Sequence, residues 1–137
     1  MERSRELETL VEAWFAAVSR GDASLMPAHV SDSDGARLIG GDPSEVCKGG
    51  AAIRQFLAAR IEAGSGQTTF RPADTEAFTA GSIGWATTFL TMTAPDGRCV
   101  TPRWSAVFEH EDGVWRLVQI HASIGVPNDE IDWVSPD

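Results

Sequence analysis

Between residues 101 and 126 the chain sets two apolar-rich runs on either side of Glu111-Asp-Gly113, a pattern that predicts a β-hairpin. Successive strand side chains face opposite ways, so each run divides by parity. Trp104, Ala106 and Phe108 make an apolar face opposed by Arg103, Ser105, Val107 and Glu109. In the second run Val118, Ile120, Ala122 and Ile124 oppose a mixed set of Trp115, Leu117, Gln119, His121 and Ser123. Two semi-buried faces predict a sheet covered by helices on one side and by another subunit on the other.

Upstream the period changes. Leu7, Leu10, Val11, Trp14, Phe15 and Val18 recur at helical spacing up to a stop at Gly21. Asp22 is placed to cap a short second helix carrying Leu25 and Met26, residues 36–39 read as a short strand, and Ile53, Phe56, Leu57 and Ile61 mark a third helix between Gly49-Gly50 and Gly64. Alternation then predicts strands at about 68–80, 83–93, 99–110 and 114–124. Helices first and a meander after them describe an α+β domain whose helices cover one side of an antiparallel sheet.

Composition narrows the partners. The 137 residues, 42% of them hydrophobic, fit one domain spanning 1–137. A formal charge of −9 argues against nucleic acid or an anionic membrane surface as a partner. Apolar runs far shorter than a bilayer span, and an N-terminus without the apolar core of a signal peptide, lead to the expectation of a cytoplasmic protein. Cys47 and Cys99 stand apart, as reduced thiols would. His29, His110 and His121 lack metal-ligand spacing, and the Gly40-Gly41 and Gly49-Gly50 pairs form no phosphate loop. No metal or cofactor is expected.

Three stretches carry a family resemblance. Leu10-Val-Glu-Ala-Trp-Phe-Ala-Ala-Val-Ser-Arg-Gly-Asp22, Ile39-Gly-Gly-Asp-Pro-Ser-Glu-Val-Cys-Lys-Gly-Gly-Ala-Ala-Ile-Arg-Gln-Phe56 and Gly113-Val-Trp-Arg-Leu-Val-Gln-Ile-His-Ala-Ser-Ile-Gly-Val-Pro-Asn128 resemble the SnoaL-like polyketide cyclases and the related ketosteroid isomerase and nuclear transport factor 2. The resemblance implies a cone of three N-terminal helices packed on a curved antiparallel sheet, with the site inside the cone. That scaffold hosts isomerases, cyclases, dehydratases and non-catalytic adaptors, so it fixes the fold better than the reaction.

Taken with the strand parity, the resemblance places Trp14, Phe56, Trp85, Phe89, Trp104, Phe108, Ile120 and Ala122 around a pocket for a small hydrophobic molecule, with Thr87 and Asp42 as its few polar groups. The competing reading is that these aromatics fill a core. Asp42 falls where ketosteroid isomerase carries its general base, yet Asp42-Pro-Ser-Glu45 is also a helix-capping pattern. The two readings differ in sign: burial in the cone would raise the carboxyl pKa, and capping would lower it. His29 and Asp34 are secondary candidates. The isomerase's oxyanion positions map to Trp14 and about Ser105, neither an acid, which argues against steroid isomerisation.

Two functions follow. One is an enzyme that isomerises, cyclises or dehydrates a small hydrophobic metabolite with Asp42 as base, and the other is a non-catalytic binding or assembly module. A homodimer is expected through a convex face of Ala86, Thr88, Leu90, Met92, Val107, Trp115, Leu117, Gln119 and His121, with the tail at 128–137 over its edge.

Overall fold

In the computed structural model, which describes residues 1–64 and 67–136, the chain runs β1 (Glu2–Arg3), α1 (Arg5–Ser19), α2 (Met26–His29), β2 (Arg37–Ile39), β3 (Val46–Lys48), α3 (Gly50–Ala63), β4 (Thr69–Ala80), β5 (Ile83–Thr93), β6 (Cys99–Val100), β7 (Pro102–Glu111) and β8 (Val114–Ile124). A 3-10 turn at Asn128–Glu130 follows. The strands form one curved sheet in the order β1-β4-β5-β7-β8-β2-β3, with β6 paired to β5. The sheet is mixed, because β2 joins β8 in parallel. With three helices on one face, this is the α+β cone that the resemblance implied.

Local chemistry explains the main elements. Ser4 caps α1 by accepting the Leu7 N–H at 3.1 Å, and Gly21 ends it at φ 74°. Asp22 does not cap α2: its Oδ1 accepts the Ser24 N–H at 2.9 Å in a turn before the helix. Two arginines hold α2 in place of a cap, Arg54 donating to the Pro27 and Val30 carbonyls and Arg116 to that of Ala28. The β7–β8 hairpin closes through Asp112 and Gly113, both at positive φ (52° and 78°), as a tight primed turn requires.

The helix-covered face of the sheet is lined with small residues where α1 comes closest. Ala77, Ala86 and Ala106 are buried, and a Cβ on Gly84 would fall 2.5 Å from Leu7 Cδ1. Cross-strand register then fixes which side chains point inward. Ala86 lies opposite Ala106 and Thr88 opposite Trp104, so Ala86, Thr88 and Leu90 are buried under the helices, not on the convex face as parity alone suggested.

Trp115 and Leu117 are corrected in the same sense. Val107 pairs with Gln119 but Phe108 with Leu117, so Val118 is an extra residue, a bulge that reverses facing beyond it. Both side chains therefore join the core, 8% and 3% exposed. The tail does not fold over the sheet edge: Trp133 is 87% exposed, and Asp137 lies outside the described residues.

Candidate functional site

At one end of the cone the helices and the sheet do not meet. Between them lies an open cavity of about 540 Å³, within the size range of small-molecule sites. The period of α1 brings Trp14, Phe15 and Val18 to its wall, and that of α3 brings Phe56, Leu57 and Ile61. Inward positions of the sheet add Leu38, Phe70, Leu90, Met92, Pro102, Trp104, Ile120 and Ala122. Phe15 meets Trp104 edge-on at 5.1 Å and tilts against Phe70 at 6.2 Å, so these rings pack on one another along the wall. Among the described residues the ionisable lining side chains are Asp42, Glu45 and Arg60, all at the mouth, and the indoles of Trp14 and Trp104 and the Ser123 hydroxyl are the other polar groups of the lining.

Charge is confined to the mouth, where the exposed lining residues Ile39, Gly41, Asp42, Pro43, Arg60 and Ile124 lie. The rim is the turn from β2 to β3. Its backbone closes with Gly40 N–H donating to Glu45 O at 2.8 Å and Glu45 N–H to Asp42 O at 2.9 Å. Asp42 Oδ1 accepts from the Ser44 N–H at 2.8 Å and from its hydroxyl, while the Asp42 N–H donates to Glu45 Oε1 at 2.9 Å. The Glu45 bond back to the Asp42 N–H is that of a capping box, but Asp42 bonds Ser44 in place of Glu45, and a strand follows where a helix would start. Glu45 Oε2 pairs with Arg60 at 3.2 Å, and the Arg60 guanidinium lies 5.1 Å from the Phe56 ring centre.

Asp42 is exposed, and its carboxyl pKa lies below the ordinary value. The Ser44 hydroxyl and N–H bonds lower it most, and the positive charge of Arg60 adds to them. Its geometry is thus that of a turn-forming, ionised carboxylate at the rim, one oxygen occupied by Ser44 and Oδ2 without a hydrogen-bond partner among the described residues.

Of the residues expected at the site, Trp14, Asp42, Phe56, Trp104, Ile120 and Ala122 are brought together here. Trp85, Thr87 and Phe89 are not. The register that turns Ala86, Thr88 and Leu90 inward puts these three on the outer face, where Phe89 is 53% exposed. Phe108 faces inward but is buried in the core, outside the cavity. His29 Nδ1 lies 2.8 Å from the Trp115 carbonyl, and Asp34 sits exposed in a loop; neither reaches the cavity. Among the described residues no three His, Cys, Asp or Glu side chains gather as a metal site would need.

Sequence reasoning missed Phe15, Phe70, Leu90 and Arg60. Phe15 and Arg60 each sit beside an expected wall residue on their helix periods, a usable signal. Phe70 and Leu90 required the strand register.

The fold is shared widely. A nuclear transport factor 2-like protein of unknown function from Pseudomonas putida superposes with a TM-score of 0.77 at 18% identity, over 96% of this chain and 92% of that one. A provisionally assigned dehydratase of the nuclear transport factor 2-like family from Streptomyces avermitilis gives 0.70 at 20% identity, covering 88% and 93%. A provisionally assigned ketosteroid isomerase from Shewanella frigidimarina gives 0.69 at 15% identity, covering 84% and 92%. No curated protein matches the chain at a significant level. The SnoaL-like domain model, however, matches residues 7–127, nearly the whole cone including the cavity, and the chain therefore belongs to the SnoaL-like domain family.

Proposed function

We propose that this protein binds a small, mostly apolar molecule inside the cone. The observation that carries this reading is the cavity itself: a depth free of charged side chains with every ionisable lining group at the mouth. A ligand gains by burying its apolar body there and keeping its polar end at the rim. Naphthalene is a suitable first probe, followed by nitrogen-15 NMR of the five tryptophans. The indole signals of Trp14 and Trp104 should move on titration while those of Trp85 and Trp133 stay fixed. No shift at Trp14 and Trp104 at saturating probe would remove this reading.

If the pocket also catalyses proton transfer, in an isomerisation, cyclisation or dehydration, the base falls to Asp42. Glu45 is committed at both oxygens, to the Asp42 N–H and to Arg60, whereas Asp42 Oδ2 is free. The lowered pKa keeps Asp42 in its base form at neutral pH but makes it a weak base. Activity that depends on it would fall as the pH drops through that lowered value. Asp42→Asn should cost about 10²–10⁴-fold in turnover of a substrate, the usual range for a lost general base; full turnover by the variant would leave only the binding role.

The outer face supports a homodimer, with corrected residues. Phe78 stacks on Trp85 at 6.3 Å, and together with Phe89 and Val107 they make an apolar patch. Arg71 and Arg103 lie there with Glu76, which pairs with Arg3 at 3.7 Å, and Glu109, opposite Arg116. Charges of both signs around the patch allow a second copy, turned about a two-fold axis, to set cations against carboxylates.

A further inference from the structure

We propose that the rim selects ligands whose polar end donates hydrogen bonds, an amine or a hydroxyl, and turns away carboxylates. The inference rests on the pocket reading above and adds a chemical class to it. Three ionisable side chains line the cavity, Asp42, Glu45 and Arg60. Their charges sum to one negative, but their availability matters more than the sum.

Arg60, the cation an anionic ligand would seek, is already neutralised by Glu45 Oε2 at 3.2 Å, and its planar group lies by the Phe56 ring. Glu45 is in turn engaged at both oxygens, since its other one accepts the Asp42 N–H. What remains open is Asp42 Oδ2, an acceptor with no donor, on an exposed turn beside a depth that offers no competing charge. An ionised carboxylate is acceptor-only, so it satisfies an ammonium or a hydroxyl and repels a second carboxylate. The net charge of −9 adds to that repulsion at long range.

The discriminating residue is therefore Asp42, acting as a positioning group for the ligand's polar end. Its rim location sets the scale. A unit-charge contact at partly solvated sites is worth roughly a factor of ten in affinity.

Three probes with one apolar body test this: naphthalene bearing an aminomethyl, a hydroxymethyl or a carboxylate group, each titrated by calorimetry at neutral pH alongside naphthalene itself. The expected order is amine, then alcohol, then carboxylate, with at least about tenfold between the ends. Asp42→Asn should bring the amine down to the level of the alcohol, a larger loss than any it causes for naphthalene; equal losses for the two would overturn the selectivity. Arg60→Gln should weaken the carboxylate no further than it weakens the alcohol, because Arg60 is held by Glu45. Equal affinities, or a carboxylate that binds best, would overturn the selectivity while leaving the pocket intact. If naphthalene itself fails to bind, the pocket reading falls and takes this inference with it.

Discussion

A Cβ on Gly50 would lie 2.1 Å from the Ser31 carbonyl oxygen and 2.6 Å from Asp32 Cα. Both are backbone atoms that cannot swing aside, so Gly50→Ala should destabilise by at least the 1–3 kcal/mol typical of overpacking. Gly41 has nothing within 4 Å of its would-be Cβ, and Gly41→Ala should melt within a degree or two of the parent. The contrast between the two melting temperatures checks the close approach of α3 to the loop before β2. At the other end of the chain Glu8 is buried, with Oε1 held by Arg3 at 2.6 Å and Arg5 at the edge of ion-pair range. The Arg3 hydrogen bond first, and its charge after the opposing effect of burial, hold the Glu8 carboxyl below its ordinary 4.5. A depressed folded pKa contributes stability in full above the unfolded value and loses it as pH falls through the folded one. The stability gap between the parent and Glu8→Gln should therefore be widest near neutrality and shrink as pH falls below the ordinary 4.5 toward the lowered folded value, as melting curves across that range would read.

At the scale of elements, legibility followed the length of the periodic pattern. Helix α1 and the β7–β8 hairpin were readable because six or more residues repeat one period and a glycine ends it. The three-residue β3 and two-residue β1 were not, since neither is long enough to alternate. Strand β5 was read with its faces exchanged because both are apolar: Trp85 and Phe89 are larger than Ala86 and Leu90, and size was taken for burial. The physical rule on β5 is the reverse, for α1 lies so near β4 and β5 that Ala77, Gly84 and Ala86 sit buried on the inner face, and Trp85 and Phe89 of β5 go outside. The wall of the cavity was thus half legible, its helical side from the period and its sheet side only once register was known. The hairpin supplies a prediction at this scale. Gly113 at φ 78° should cost about 1–2 kcal/mol when changed to Ala, the penalty of a Cβ in the left-handed region, measurable by urea unfolding.

For the molecule as a whole, the two proposed roles fall on opposite faces of the sheet. The cavity opens on the helix side, and the apolar patch of Phe78, Trp85 and Phe89 lies on the other. Trp85→Arg should convert a dimer to a monomer in light scattering at micromolar concentration and leave naphthalene binding intact, since Trp85 does not line the cavity. A parent protein that is already monomeric under those conditions would refute the dimer.

The pairing of β2 with β8 has a temporal side. Leu38 lies opposite Ile120, so the rim turn carrying Asp42 hangs from the last strand to be made. Contacts between such distant stretches close late and slowly. A chain still being synthesised can pair β2 with β3 and has all three helices and much of the aromatic wall before β8 exists to join that pair to the rest of the sheet. Until β8 is made the cavity lacks the wall that Ile120 and Ala122 supply, so under the proposed binding role a ligand would find its site only late in folding.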